Sequence, residues 1–266
     1  MGDFSSPASF FELAPDHPLA GRLAATANVW EILDLLGDWI QDLIVPNVAS
    51  LRRGGGLVER PMALRQGEAA PAEVDFNGPG GRVMALVGGQ PWPEAALILP
   101  GAYVADDRVE IGPGALVEAG AMIKGPAIIG PGAQVRQGAY VRGQVYAGAE
   151  AVVGHATEAK NVLMLDGAKA GHFAYLGDSV LGREVNLGAG TKLANLNMGD
   201  APIAFKANGE LITLKRRKMG AILGDRVETG CNSVTNPGVL MGPDSRLWPN
   251  VAVKAGYYPP KSRIRG

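Results

Sequence analysis

The sequence predicts an all-β protein: a parallel β-helix of hexapeptide repeats, with an N-terminal helical extension and a β-hairpin insertion. Three observations carry this. First, an apolar residue recurs at every sixth position: Leu99, Ala105, Ile111, Val117, Ile123, Ile129, Val135, Val141, Ala147, Val153, Ala159 and Leu165. A second row, two positions earlier, runs from Tyr103 and Val109 through Ala115 to Ala151. A six-residue period fits neither an amphipathic helix nor an alternating strand, but it is the period of a hexapeptide solenoid. Second, glycine makes up 38 of 266 residues, about twice its usual share of roughly 7%. Third, aromatics are only 6%, which suits a narrow core with many tight turns.

The elements follow in chain order. Residues 1–96 read as a helix and a connector. Asn28 and Glu31 form a capping-box pattern, and Val29, Ile32, Leu33, Leu36, Ile40, Leu43 and Ile44 keep helical spacing up to Pro46. That helix is expected to cover an end of the main domain or a neighbouring subunit. Residues 50–80 read as a Gly-, Pro- and Ala-rich connector, and Arg82–Val87 as a strand. The repeats occupy 97–256, with Gly-Pro-Gly-Ala turns at 112–115 and 130–133. Their phase slips before Leu181, Leu187 and Leu193, and again before Leu223, Thr229, Thr235, Met241, Leu247 and Val253. Such slips mark insertions that leave the coil. The largest, about 197–218, carries Asn208-Gly209, a hairpin turn signal, so 202–216 reads as an arm placed to close over a neighbouring subunit's site. Residues 257–266 are a C-terminal tail.

The stretch KNVLMLDGAKAGHFAYLGDSVLGREVNLGAGTKLAN, Lys160 to Asn195, resembles the acetyltransferase domain of the bifunctional glucosamine-1-phosphate acetyltransferase / N-acetylglucosamine-1-phosphate uridylyltransferase and its archaeal-type relatives. These are hexapeptide acyltransferases, and the resemblance implies a left-handed coil, against the usual crossover preference. It further implies that His172 is the catalytic base and that Arg136, Lys160, Tyr175, Asn186 and Asn195 contact the substrate. Ala189 and Cys231 would lie by the acyl donor, acetyl-CoA. The acceptor would be an amino-sugar phosphate on the route to UDP-N-acetylglucosamine, and the assembly a homotrimer; apart from the resemblance, MGDFSSPASF lacks a basic segment followed by an apolar one, so the default expectation is a cytoplasmic protein. Two positions depart from the family: Leu196 stands where it has Tyr, and Cys231 where it has Ser. Fewer than 100 residues precede the repeats, without a Gly-x-Gly-Thr-Arg loop, so no uridylyltransferase domain is expected in this chain.

The residue chemistry agrees with acyl transfer. Imidazole suits proton removal from an ammonium near neutral pH, and His172 sits at a break in the hexad phase. Backbone N–H groups near Gly188–Gly190 are candidates for the oxyanion. Glu158 and Asp178 are candidates either for orienting Lys160 or His172 or for a surface or corner role. The run Lys215-Arg216-Arg217-Lys218 is either a solvated hairpin face or a phosphate site, with Lys218 as its substrate contact. His155, seventeen residues before His172, should stack on it one coil away, but three His in the chain argue against a metal site. Cys231 by itself reads as a small packed residue, not a nucleophile.

Composition closes off other classes. Lys plus Arg is 25 against 26 Asp plus Glu, which gives no electrostatic case for nucleic acid. One cysteine excludes an intrachain disulfide. No run of 18 apolar residues predicts a membrane span. Met1-Gly2 with Ser6 matches only the loose myristoylation pattern. Beside the sugar-phosphate reading stand two others: a transferase with another amino-sugar acceptor or acyl donor, and a non-catalytic sugar-nucleotide-binding or scaffold coil.

Overall fold

In the computed structural model, which describes residues 4–78, 83–199 and 201–265, the repeats wind as a left-handed parallel β-helix. Each coil contributes a strand to three flat faces. Face one stacks Leu116–Val117, Gln134–Val135, Val152–His155, Lys169–His172, Asn186–Leu187, Glu228–Thr229, Arg246–Leu247 and Arg263–Ile264. Face two runs from Tyr103–Val104 through Tyr140–Val141 and Lys192–Leu193 to Ala252–Val253. Face three runs from Val109–Ile111 through Val145–Ala147 to Gly256–Tyr258. The long strands Glu158–Met164 and Tyr175–Leu181 span faces two and three. They turn the corner on Asn161 (φ 51°) and Asp178 (φ 44°), the left-handed region that asparagine and aspartate tolerate best among residues with a side chain.

The six-residue row is the buried column, with three corrections. Ile111, Val117, Ile123, Ile129, Val135, Val141, Ala147, Val153 and Ala159 fill the prism. Below them the core residues are Ile98 and Val104, while Leu99 and Ala105 are partly exposed. The first coil holds an extra residue: Leu97 pairs with Leu116, nineteen on, where Leu116 pairs with Gln134, eighteen on. The next correction is Leu165, which is buried outside the prism. Two coils of seventeen, Val152 to Lys169 and Lys169 to Asn186, move the column to Met164, Ala170, Leu176, Leu181 and Leu187. Third, Tyr103 of the second row is 37% exposed. Burial of the column is the main source of stability, at about 1.5–3 kcal/mol for each Val, Leu or Ile side chain.

The N-terminal segment covers a side of the prism and not an end. Asn28 N–H donates to Glu31 Oε2 at 3.1 Å, a 3-10 turn Val29–Glu31 follows, and the helix Ile32–Leu43 begins. Its buried Ile32, Leu36 and Ile40, with Phe10 and Leu19, pack on the outward Leu163, Leu165, Val180, Ile222 and Leu240 of face three. The stretch 50–80 is more than a connector. The strands Met62–Arg65 and Glu68–Pro71 pair antiparallel, and the first also pairs with Ala96–Ile98, closing the start of the coil over Val48, Leu51 and Leu64. The strand expected from Arg82 runs Met84–Val87; Arg82 itself, like Met1 and Gly2, lies outside the described residues. Past residue 256, Gly256–Tyr258 and Arg263–Ile264 continue the parallel ladder.

The hairpin forms as Ala204–Ala207 and Glu210–Thr213, with Asn208 (φ 48°) and Gly209 (φ 88°) in the paired left-handed conformation of a type I′ turn. It does not reach outward as an arm. Ile203, Phe205, Ala207 and Leu214 are buried with the N-terminal helix, and Phe205 meets Trp30 edge-on at 5.6 Å. Among the described residues, no helix is long and apolar enough to cross a membrane.

Candidate functional site

His172 ends the face-one strand Lys169–His172 and is exposed on the edge between faces one and two. The chain places it there because the following Phe173 takes a left-handed turn (φ 54°), a conformation strongly disfavoured for a bulky side chain. Phe173 N–H donates to His155 O at 2.8 Å, and the register stacks His155 directly on His172, as the seventeen-residue spacing predicts. Phe173, 57% exposed, lies 5.2 Å from the His155 ring and 6.4 Å from the His172 ring, centroid to centroid. His155 Nδ1 is 2.8 Å from Gln137 O. Among the described residues no three His, Cys, Asp or Glu side chains converge as metal ligands.

Around that edge, on face two, lies a polar cluster. Tyr175 opens the next strand and its hydroxyl donates to Asn195 Oδ1 at 3.3 Å. Asn195 Nδ2 in turn donates to Asp178 Oδ2. Burial, then the nearby Glu158 and Asp178, pushes the Tyr175 phenol above its ordinary range. Gly177 makes the cluster possible. A Cβ there would come within 2.6 Å of Asn195 Nδ2 and 2.8 Å of the Tyr175 hydroxyl. Gly177 pairs with Lys160 of the preceding coil, so Lys160 borders the same patch.

The remaining positions divide. Arg136 and Asn186 line a groove on face one with Gln134, Glu150, Lys169 and Glu184, and Arg136 Nε donates to Gln134 Oε1 at 3.0 Å. Lys218 lines a separate pocket with Asp178, Leu196, Arg216 and Arg217. Ala189 and Cys231 occupy the edge one and two coils beyond His172, tied through Gly190 N–H to His172 O (3.0 Å) and Asn232 N–H to Ala189 O (2.8 Å). One chain thus brings Lys160, Tyr175 and Asn195 together, sets Arg136 and Asn186 on the adjoining face, and puts His172 on the edge between them.

At several positions the structure narrows or changes the expectation. Cys231 is exposed, because its corner position faces away from the prism. The N–H groups of Gly188 and Gly190 are spent on the coil ladder, to Thr229 O and His172 O, so neither is open to an oxyanion. Glu158 pairs with Arg142 at 2.5 Å, and Asp178 holds Asn195 and Asn161; neither orients Lys160 or His172. Arg216, which also lines the Lys218 pocket, donates to Trp30 O at 2.8 Å and to Asp34 Oδ1 at 2.9 Å, clamping the hairpin to the N-terminal helix. Sequence reasoning missed that clamp and the Gly177 clearance, since both depend on contacts between distant coils.

Comparison with known proteins adds the following. A family model described as the GMPPB C-terminal domain matches residues 123–247. A bifunctional sugar-1-phosphate nucleotidylyltransferase/acetyltransferase of Sulfurisphaera tokodaii is 39% identical over 101 residues, 38% of this chain and 25% of the relative. The bifunctional protein GlmU of Methanococcus vannielii is 35% identical over 104 residues, 39% of this chain and 25% of that protein. The GlmU of Stutzerimonas stutzeri is 31% identical over 234 residues, 80% of this chain and 48% of its own length. The chain therefore spans about a quarter to a half of the relatives it matches.

Proposed function

From the relationship of this coil to the acetyltransferase domain of the bifunctional GlmU proteins, we propose that the protein is an acetyl-CoA-dependent N-acetyltransferase whose acceptor is an amino-sugar phosphate such as glucosamine-1-phosphate. The observation that supports this best is the exposed His172 on an edge, three residues from Tyr175, whose hydroxyl is already hydrogen-bonded to Asn195. An acceptor amine held by Tyr175 and Asn195 faces an imidazole able to take its proton. The amine nitrogen then bonds to the thioester carbonyl carbon, the carbon–sulfur bond breaks, and the proton passes to the departing thiolate. Lys160 on face two and Arg136 on face one supply positive charge for the sugar phosphate, with Lys218 at the neighbouring pocket and Asn186 as a further polar contact. Ala189 and Cys231 leave the edge beyond His172 low, suited to a long acyl donor. Arg136 and Asn186 lie on a different face from Tyr175, which fits a homotrimer whose sites form between protomers.

Thiol release from acetyl-CoA with glucosamine-1-phosphate tests the reading. The His172→Ala variant is expected to keep its fold and lose turnover by roughly two to four orders of magnitude. Near-wild-type turnover in that variant removes His172 as the base, and no turnover with any amine in the wild type removes the reaction. One observation favours testing other acceptors in the same assay: Leu196, 50% exposed, borders the Lys218 pocket where the family carries a tyrosine.

A further inference from the structure

Asp178 is nearly sealed, at 5% exposure, in the corner between faces two and three. Both carboxyl oxygens accept N–H donors from carboxamides. Oδ1 takes Asn161 Nδ2 at 2.9 Å, and Oδ2 takes Asn195 Nδ2. Its backbone carbonyl accepts Gly220 N–H at 2.8 Å, which fixes the residue against the coil that follows the hairpin. The carboxamide of Asn195 has two ends, and only one orientation turns Oδ1 towards Tyr175. A group that accepts on both oxygens leaves Asn195 no choice, because the flipped amide would set oxygen against oxygen. Asn161 reaches further, since its Nδ2 also lies 3.5 Å from Leu33 O in the N-terminal helix. A continuous polar path thus runs from that helix through Asn161, Asp178 and Asn195 to the Tyr175 hydroxyl.

We propose that Asp178 is a positioning residue: it fixes the amide orientation of Asn195, and through it Tyr175, so that the pair is set for an acceptor before one arrives. This rests on the acetyltransferase reading only for its kinetic consequence; the geometric consequence stands alone. Preorganised polar contacts are held by the shell behind them, and here that shell is one buried carboxylate.

The Asp178→Asn variant is the test. It is nearly isosteric, and it replaces one acceptor with an NH₂ that must face a donor of Asn161 or Asn195. The expected result, read by neutron diffraction, is an Asn195 amide turned over, its Nδ2 now donating to the Tyr175 hydroxyl oxygen so that the phenol no longer donates to Oδ1, and an acceptor KM raised roughly ten- to hundredfold with a smaller change in kcat. The double variant D178N/N195D restores donor to acceptor with the polarity reversed, since Asn at 178 can accept from Asn161 and donate to Asp at 195, which still accepts from Tyr175. It is expected to return Tyr175 to donating and to recover at least part of the KM. If Asn195 still turns Oδ1 towards the donating Tyr175 hydroxyl in D178N, the proposal fails. It fails also if the double variant does not restore Tyr175 as the donor, or if both variants fail to fold, which would make Asp178 purely structural. If the wild type transfers no acetyl group, the function falls, and the crystallographic arm still decides the positioning role.

Discussion

Gly177→Ala adds a single methyl group at the centre of the polar cluster. The new carbon would sit 2.6 Å from Asn195 Nδ2, 2.7 Å from Asn195 Cγ and 2.8 Å from the Tyr175 hydroxyl, each well inside a normal contact of about 3.5 Å. Both neighbours are side chains, so the coil can survive if they swing away. The cost to folding is then about 1–3 kcal/mol from overpacking, including about 1 kcal/mol for the lost Tyr175–Asn195 hydrogen bond. The cost to function is larger in proportion. Tyr175 and Asn195 no longer converge on one acceptor, and losing one or two positioned hydrogen bonds at roughly 1.4 kcal/mol for each tenfold lowers kcat/KM about 30-fold, mainly through KM. The assay is thiol release at varied acceptor concentration, with thermal unfolding on the same samples. A variant that keeps kcat/KM within twofold of wild type while showing the expected loss of stability refutes the claim that this pair holds the acceptor.

Two further outcomes are expected. Gly154→Ala and Gly171→Ala occupy successive positions of the same row, yet a Cβ at Gly154 would lie 1.9 Å from the Gly171 carbonyl oxygen while one at Gly171 meets nothing within 4 Å; chemical denaturation should show a loss of about 3 kcal/mol or more for the first and under about 0.5 kcal/mol for the second, and equal effects would contradict the coil register. The His17 imidazole, 3.7 Å away, and the Ala149 N–H hold the Asp166 carboxyl below its usual range, as Arg108 does for Asp106 and Arg226 for Asp244. A carboxyl depressed in the folded state adds stability that is complete above its unfolded pKa of about 3.9 and is lost as pH falls through the folded value. The melting temperature should therefore decline below about pH 4, and decline less steeply in Asp166→Asn; identical acid limbs would refute the contribution.

Much of the coil was legible because one physical demand repeats. Inward positions take side chains small enough for a narrow prism, nearly all of them apolar (Thr229 and Thr235 are exceptions), so Val117 through Ala159 could be read without any structure. The same rule misled at Leu165, because an apolar residue can also face outward when a helix covers it, and a seventeen-residue coil moves the phase unseen. At Leu99 and Ala105 one extra residue in the first coil did the same. In the candidate site, His172, Tyr175 and Asn195 were singled out by resemblance. The role of Asp178 was not, because it depends on two left-handed corners, at 161 and 178, stacking side by side. Nor was the engagement of Arg216, since nothing in a basic run says that the N-terminal helix will reach it.

The insertion after the strand Lys192–Leu193 has a practical consequence. Asn186 pairs with Glu228, forty-two residues on, in the same register in which Glu228 pairs with Arg246, eighteen on. The ladder closes over the detour, because each rung answers only to the rungs on either side of it. New sequence can therefore be grafted at the tip, Asn208-Gly209, where a reporter or affinity peptide would hang clear of the scaffold without altering the spacing of a single strand.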